Sequence, residues 1–354
     1  MQAPFKQRPR RRLRKLALTI VTGLVVAYYL VIPTVIAFVL IHYRQPICCV
    51  TPAERGLTTY EDVSFTTADG LTLVGWYVPS RNGAAIIALH GSGGNRTATL
   101  EHGAMLARHG YGVLLLDLRG HGNSGGHVAL GWDANLDIDA ALAYLHTRPD
   151  VDPQRIGALG LSMGGEVAMQ AAAHTEWLKA VVSDGAGARA IGDRLSGPVN
   201  PLAVPAMWTS TYAMALFTGL TPPPPLTELI PRIAPRPLLI ISAGHGMGGE
   251  VELSDIFYAA AGEPKQHWQI PEAEHTGGLL ARPQEYEAKV IAFFDAALSR
   301  SSTRSEIGDV AQNQPILEYD RGRAAGALAH RGAHRDDTNH PAERSDQCAP
   351  ARPG

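Results

Sequence analysis

A serine between small residues is the strongest chemical signal in this sequence. Gly160-Leu161-Ser162-Met163-Gly164 lies between an apolar run, IGALGL, and an alanine-rich stretch, MGGEVAMQAAAH. In a strand-to-helix context this pattern predicts a nucleophile elbow, a sharp turn that projects the serine hydroxyl above a sheet and needs small flanking residues. Short matches of this kind occur by chance, but few fall between a buried strand and a helix. We therefore predict that Ser162 is a nucleophile.

A serine hydroxyl is a weak nucleophile at neutral pH and needs a general base beside it. His275 follows the run HWQIP and the residues Glu272-Ala273-Glu274. This position predicts a loop at the carboxyl end of a late strand, where the sites of α/β proteins collect. The chain has 14 histidines, but few of the others fit such a position. We predict that His275 accepts the proton of Ser162.

Acyl transfer also requires hydrogen-bond donors for the developing oxyanion. His90-Gly91-Ser92-Gly93-Gly94 directly follows the apolar run AAIIAL, and its glycines would let backbone N–H groups approach a substrate oxygen. We predict that the backbone N–H groups of Ser92 and Met163 form the oxyanion hole. A tight turn that binds no ligand is the alternative for this loop.

The elements that must position these residues alternate between strands and helices from Tyr60 to about Arg300, which indicates an α/β fold with a mostly parallel sheet. VSFTT, the Asp69-Gly70 turn and LTLVGWYV predict an antiparallel hairpin. The runs AAIIALH and YGVLLLDLRG are continuously apolar, which is typical of strands buried on both faces. Residues 185–235 break this alternation. They are rich in proline and carry a set of large apolar side chains: Met207, Trp208, Tyr212, Met214, Leu216 and Phe217.

Four motifs together resemble the α/β-hydrolase superfamily, in its serine aminopeptidase-like and dienelactone hydrolase-like branch. They are His90-Gly91-Ser92-Gly93-Gly94, Asp117-Leu118-Arg119-Gly120-His121-Gly122-Asn123-Ser124, the elbow around Ser162, and Glu274-His275. They follow the family's order across about residues 60–300. The resemblance implies an α/β-hydrolase fold with helices on both faces of the sheet. It also implies that Asp117, Arg119 and His121 form a structural loop beside the site.

By the same resemblance, residues 185–235 are a small lid inserted between the sixth and seventh strands. Its aromatic and methionine side chains suit an apolar acyl pocket. A lid that only packs on the body of the domain is the alternative.

The acid that should orient His275 departs from the family's pattern. The family usually carries an aspartate shortly after the seventh strand, here PLLIIS, and Gly246 falls at that position. A glycine can neither fix the imidazole tautomer nor stabilise the imidazolium. Glu250 ends the glycine-rich loop and is our first choice, because a glutamate there could reach back to the histidine. Glu252 and Asp184 remain alternatives, as does a site without a protein acid.

Two other readings of the sequence predict different functions. Residues 244–249 match G-x-G-x-x-G after a strand, which is formally a dinucleotide-binding pattern with Glu272 as its acid. That reading leaves Ser162 and His275 unexplained. A hydrolase-fold binding protein without turnover is the second alternative. His121 and His127 lack the paired spacing of metal ligands, so we expect neither a metal nor an organic cofactor.

The first 41 residues predict a membrane anchor. Residues 16–41 contain no charged side chain and would exceed, as a helix, the hydrocarbon core of about 30 Å. A cleaved signal peptide is the alternative, but its apolar part is shorter and ends in small residues. Residues 1–15 carry seven basic side chains and no acidic one, which predicts a cytoplasmic basic segment and an extracytoplasmic domain at the cell membrane.

The remaining boundaries and partners follow from composition. We expect a linker over residues 42–59, the hydrolase domain over 60–300 and a disordered tail over 301–354, which has few large apolar side chains. Outside residues 1–15 the chain has 24 basic and 33 acidic residues, which argues against nucleic-acid binding. Three cysteines exclude a disulfide scaffold, and the adjacent Cys48 and Cys49 are expected to be incidental.

The sequence therefore predicts a membrane-anchored serine hydrolase. Its expected substrate is a carboxylic ester or, as a second choice, an amide, cleaved through an acyl-enzyme on Ser162. The sequence leaves the acyl chain and the leaving group open, because a fold does not determine a substrate.

Overall fold

One mixed sheet forms the centre of the protein in a computed structural model, which describes residues 8–43, 47, 50–197 and 199–299. Its eight strands are β1 Glu61–Thr66, β2 Thr72–Val78, β3 Ala85–Leu89, β4 Gly112–Asp117, β5 Ile156–Leu161, β6 Ala180–Asp184, β7 Leu238–His245 and β8 Lys265–Glu274. Their order in the sheet is β1-β2-β4-β3-β5-β6-β7-β8.

The sheet changes direction only at its first edge. β1 and β2 form the hairpin that the Asp69-Gly70 turn predicted, and β2 pairs antiparallel with β4. The strands β3 to β8 are parallel to one another. Because parallel strands share one carboxyl edge, the loops after β3, β5, β7 and β8 gather there. The predicted α/β fold is confirmed.

Helices cover both faces of this sheet. In the described part of the chain the helices are, in order, α1 Arg8–Val26, α2 Ile32–His42, α3 Leu100–Arg108, α4 Asn135–His146, α5 Met163–His174, α6 Ile191–Ser196, α7 Val204–Thr218, α8 Leu226–Leu229, α9 Glu250–Ala260, α10 Gly278–Ala281 and α11 Pro283–Ala297. The central strands are buried on both sides, with α4, α5 and α9 in one apolar core and α3 and α11 in the other. This double layer explains why the central strands are continuously apolar.

The N-terminal helix is longer than the apolar stretch predicted for it. It begins at Arg8, eight residues before that stretch, and continues through a π-helical turn at Ala27–Val31 into α2. Pro33 has no N–H to donate to the preceding turn, which accounts for the irregular hydrogen bonding just before it. The stretch Arg11–His42 is long and apolar enough to cross a membrane.

The segment between β6 and β7 departs from the strand–helix rhythm as expected. It contains α6, α7 and α8, with short 3₁₀ turns at Pro201–Ala203 and Ile230–Ile233. Among its side chains, Ala213 and Met214 of α7 are buried in a small apolar cluster with Ala37 and Ile41 of α2. The insertion therefore packs against the N-terminal helix as well as the domain.

Several predictions lie outside the described residues. They concern Cys48 and Cys49, the tail over residues 301–354 and the first seven residues of the basic segment. Within the predicted linker, Pro52–Arg55 form a 3₁₀ turn and Leu57 is buried against the domain.

Candidate active site

Ser162 occupies a strained turn between β5 and α5. Its backbone has φ 53° and ψ −121°, a positive-φ conformation that a residue with a side chain rarely adopts. The turn is tight enough that a Cβ on Gly160 would lie 2.1 Å from the carbonyl oxygen of Gly164. Only glycine fits such a close approach, which explains why glycine flanks the strained serine in the sequence.

The strained serine faces His275. The Ser162 hydroxyl lies 2.9 Å from Nε2 of His275, a distance at which it can donate a hydrogen bond to a neutral imidazole. The backbone N–H of Ser162 donates to the carbonyl oxygen of Asp184 at 2.7 Å, which holds the turn against β6. His275 directly follows β8, which extends three residues beyond the run HWQIP, to Glu274.

Glu250 completes the hydrogen-bonded chain. Its Oε2 lies 2.5 Å from Nδ1 of His275, and its Oε1 accepts from the backbone N–H of Ala243 at 2.7 Å. The carboxylate is buried, with 1% of the side chain exposed, whereas 22% of the His275 side chain is exposed. The hydrogen bond with Glu250 raises the pKa of His275 above its ordinary value, while burial acts in the opposite direction.

The glycine at the family's aspartate position leaves room for that carboxylate. A Cβ on Gly246 would lie 2.2 Å from Oε2 of Glu250 and 2.5 Å from its Cδ. A side chain at position 246 and the observed Glu250 carboxylate therefore exclude each other. The departure from the family's pattern is a relocation of the carboxylate from residue 246 to residue 250, at the first turn of α9.

The two alternative acids lie elsewhere. The carboxylate of Asp184 accepts a hydrogen bond from the Tyr286 hydroxyl at 2.8 Å, and burial raises the pKa of Asp184 to about 7. Glu252 is exposed on the first turn of α9, an ordinary place for an acid at a helix N-terminus. Of the three carboxylates that the sequence left open, Glu250 is the one that hydrogen-bonds His275.

The predicted oxyanion loop lies beside the serine. A Cβ on Gly91 would lie 3.2 Å from Cβ of Ser162, and the backbone of Gly94 closes a turn onto Gly91 around Ser92. Met163 is the first residue of α5, so its N–H has no acceptor within the helix. The oxyanion role of the Ser92 and Met163 N–H groups stays a prediction, supported by this placement.

His90 has a structural role that the sequence did not reveal. Its Nδ1 lies 2.8 Å from the carbonyl oxygen of Gly91, and its Nε2 accepts from the N–H of Leu118 at 3.1 Å. Burial lowers the pKa of His90 to about 3, so the ring is neutral and links the oxyanion loop to the end of β4. The strand before His90 is entirely apolar and gives no sign of this link, because His90 contacts a residue 28 positions later in the chain.

The Asp117 loop forms a buried polar network, as the resemblance implied. Asp117 accepts from the backbone N–H of Arg96 and from its guanidinium, both at 2.7 Å. Arg119 donates to Asp137 at 2.7 Å and also binds Asp69 and Asp133. These charged groups pair with one another and with the backbone, which fits a structural role.

The features behind the other readings have structural uses here. In the dinucleotide-like stretch, the space at Gly246 is occupied by the Glu250 carboxylate. Within the described part of the chain, no group of three or more His, Cys, Asp and Glu side chains could hold a metal ion. An apolar acyl pocket stays a prediction: a groove of about 540 Å³ between the insertion and α5 is lined by Trp132, Gln170 and Leu229 and not by Ser162.

Comparisons with known proteins agree with this geometry. The family described as serine aminopeptidase, S33, matches residues 80–211. The chain is 31% identical over 261 residues to protein YfhR of Salmonella typhi, covering 70% of this chain and 84% of YfhR. It is 30% identical to protein Rv2307c of Mycobacterium tuberculosis, covering 64% of this chain and 76% of that one. The solved esterase Pf2001 of Pyrococcus furiosus has the same fold, with a TM-score of 0.58 at 24% identity over 71% of this chain and 97% of the esterase.

Proposed function

This chain belongs to the α/β-hydrolase superfamily, and on that basis we propose that it is a membrane-anchored serine hydrolase that cleaves carboxylic esters through an acyl-enzyme. The observation that carries the proposal is the continuous hydrogen-bonded chain from Ser162 through His275 to the buried Glu250. A nucleophile, a base and an orienting acid in this sequence are the parts that acyl transfer requires.

In the proposed first half-reaction, Oγ of Ser162 attacks the ester carbonyl carbon while Nε2 of His275 takes the hydroxyl proton. The carbonyl oxygen becomes an oxyanion, which the N–H groups of Ser92 and Met163 would stabilise. When the intermediate collapses, the carbon–oxygen bond to the leaving group breaks and His275 returns its proton to the departing alkoxide. An acyl group then remains on Ser162.

The second half-reaction repeats the sequence with water. His275 takes a proton from the water as it attacks the acyl carbonyl, and returns that proton to Oγ of Ser162 when the acid leaves. Glu250 accepts the Nδ1–H of His275 throughout, which keeps Nε2 free to accept a proton and stabilises the imidazolium. No step needs a metal or an organic cofactor.

Fluorophosphonate labelling of the full-length protein tests the serine. We expect covalent labelling of the wild-type chain and none of Ser162→Ala. Ser92→Ala is the matched control, because only the backbone of Ser92 is assigned a role. Unchanged labelling of Ser162→Ala would refute the nucleophile, and an unlabelled wild-type protein that is folded would favour a binding protein without turnover.

The membrane anchor is the second part of the proposal. It is supported by the uncharged residues 16–41 within a continuous helix and by the basic residues that precede them. We expect carbonate-washed membranes to retain the full chain, and protease added to intact cells or spheroplasts to remove its catalytic domain. Release of the chain by carbonate would refute the anchor, and complete protection from protease would refute the orientation.

The dinucleotide alternative predicts a different result. If residues 244–249 bound such a cofactor, titration with NADH would change the tryptophan fluorescence in a saturable way. We expect no saturable change, because the space at Gly246 is already occupied by the Glu250 carboxylate.

A further inference from the structure

Helix α7 of the insertion runs beside the proposed membrane helix. It lies against both the π-helical turn Ala27–Val31 and α2. Phe217, in the last turn of α7, meets Phe38 edge to face, with 5.7 Å between the ring centroids. Because α7 also reaches Ala27–Val31, it follows the second half of the membrane helix rather than crossing it at one point.

The chemistry of this segment differs from that of an ordinary protein surface. Residues 195–227 contain no charged side chain and no histidine. On α7, Leu216 is 80% exposed and Tyr212 61% exposed, and Leu202 just before the helix is 68% exposed. Trp208 stacks on Tyr212 on the same exposed side. Large apolar side chains exposed together on one helix mark an interaction site.

The position of α7 identifies what covers it. A hydrocarbon core of about 30 Å takes about 20 helical residues, and any such length within the uncharged residues 16–41 includes the turn Ala27–Val31. The turn Ala27–Val31 then lies inside the core, and a helix that packs on this turn enters the core with it. Exposed apolar side chains occur both on α7 and on the membrane helix beside it, such as Val31 and Val35, so the lipid bilayer is the partner that fits α7.

The same helix end contacts the predicted active site. Tyr43, the residue after α2, lies on the oxyanion loop, where a Cβ on Gly93 would be 3.5 Å from its Cε1. Ile41 packs in one cluster with Trp132 and Leu130. Gly131, between these two residues, lies against Met163, with a Cβ built on it 3.7 Å from Cγ. The predicted oxyanion loop therefore contacts the end of the anchor directly, and Met163 is connected to the anchor through residues 130–132.

We propose that α7 is embedded in the membrane leaflet next to the catalytic domain, and that the site takes its substrate, a carboxylic ester of a membrane lipid, directly from that leaflet. The inference deepens the proposed function and rests on it. It assigns to the insertion a membrane contact, in addition to the lid position that its place in the fold gives it.

Spin labels test the embedding of α7 without reference to activity. In full-length protein with Cys48, Cys49 and Cys348 changed to serine, a nitroxide is attached to Leu216→Cys and the chain is reconstituted into phospholipid vesicles. We expect the label to be relaxed more by oxygen, which concentrates in bilayers, than by an aqueous nickel chelate. Trp177→Cys is the matched control. This exposed residue lies between α5 and β6, at the amino-terminal ends of the parallel strands and opposite the carboxyl edge that carries Ser162. Its label should be relaxed more by the nickel chelate than by oxygen.

Two results of this measurement would overturn the proposal. One is a Leu216 label as accessible to aqueous nickel as the Trp177 label. The other is a label shielded from both reagents together with spin–spin broadening, which would show that a second copy of the chain covers α7. Either result leaves fluorophosphonate labelling of Ser162 unaffected, so failure of this inference is distinguishable from failure of the proposed function.

Turnover of two esters tests the substrate source. The vesicle-reconstituted enzyme is assayed with a long-chain fluorogenic diacylglycerol ester dissolved in the bilayer and with water-soluble nitrophenyl acetate. We expect Leu216→Asp to lower the ratio of bilayer-ester to soluble-ester turnover at least about tenfold, because a carboxylate is strongly disfavoured in the hydrocarbon core. Trp177→Asp should leave the ratio unchanged. An unchanged ratio in Leu216→Asp would refute delivery from the bilayer.

Discussion

Replacing Glu250 by glutamine should disable the enzyme for a reason that the structure makes specific. Both carboxylate oxygens act as acceptors, Oε1 from the N–H of Ala243 at 2.7 Å and Oε2 from Nδ1 of His275 at 2.5 Å. A glutamine offers one oxygen and one NH₂ group. If its oxygen stays on the buried N–H of Ala243, its NH₂ faces His275, and Nδ1 must become the acceptor. The ring proton then moves to Nε2, which can no longer accept the proton of Ser162.

The expected magnitude follows from this change of tautomer. The equivalent acid-to-amide change in a serine protease lowers kcat by about 10⁴, which corresponds to about 5 kcal/mol of transition-state stabilisation. We expect a loss of that order in nitrophenyl ester turnover, with a melting temperature close to that of the wild type. A folded Glu250→Gln protein within tenfold of wild-type turnover would refute the assignment of Glu250.

A rescue experiment tests the same reasoning in the opposite direction. Glu250→Ala empties the space that excludes a side chain at Gly246, so Gly246→Asp on that background should place a carboxylate where the family usually has one. We expect the turnover of the double variant to exceed that of Glu250→Ala at least about tenfold. This would restore part of the loss of about 10⁴ in kcat that removal of the orienting acid causes. Gly246→Asn with Glu250→Ala is the matched neutral control. Equal turnover of the two double variants would contradict the account.

Three further predictions test other parts of the site. The hydrogen bond with Glu250 raises the pKa of His275, and His275 must be neutral to act as a base, so kcat/KM should rise as pH rises through that pKa. In Glu250→Gln the residual rise in kcat/KM should move to lower pH. An unmoved pH profile would contradict this prediction. Asp184, whose pKa is raised to about 7 by burial, should stabilise the fold below its unfolded pKa of about 4 and lose that contribution as pH rises to about 7. Asp184→Asn should therefore flatten the fall of melting temperature over this interval while keeping turnover within about tenfold of wild type, since removing an orienting acid costs far more; a steeper fall or a loss of about 10⁴ would count against it. Gly160→Ala should prevent folding, because its Cβ would lie 2.1 Å from a backbone oxygen. Gly125→Ala is the control, since its Cβ meets only an ordinary contact at 3.4 Å. Circular dichroism of both variants tests this, and a native spectrum for Gly160→Ala would refute the packing argument.

The sequence was most informative where local pattern and chemistry coincide. The position of Ser162 between a buried strand and a helix depends on a few adjacent residues, and the alternation of apolar runs is enough to predict the parallel sheet. The strained φ of 53° at Ser162 belongs to the same local pattern, because the tight turn around the serine admits only glycine at positions 160 and 164.

Features that depend on distant contacts were left open by the sequence. Three carboxylates could reach the histidine along the chain, and only the folded loop shows that Asp184 binds Tyr286 while the Glu250 carboxylate fills the space at Gly246. The link from His90 to Leu118 joins two loops in the same way. The packing of α7 on α2 has no local signature, because both are apolar segments whose partner cannot be read from their own residues.

The most direct test of the account is to trap the acyl-enzyme. The reconstituted full-length protein is mixed with nitrophenyl acetate, quenched in acid within the burst of nitrophenol release and digested for mass spectrometry. We expect one added acetyl group on the peptide that contains Ser162, and none there in Ser162→Ala. Steady turnover with an unmodified Ser162 peptide, or an acetyl group that accumulates on another residue at the burst rate, would contradict it.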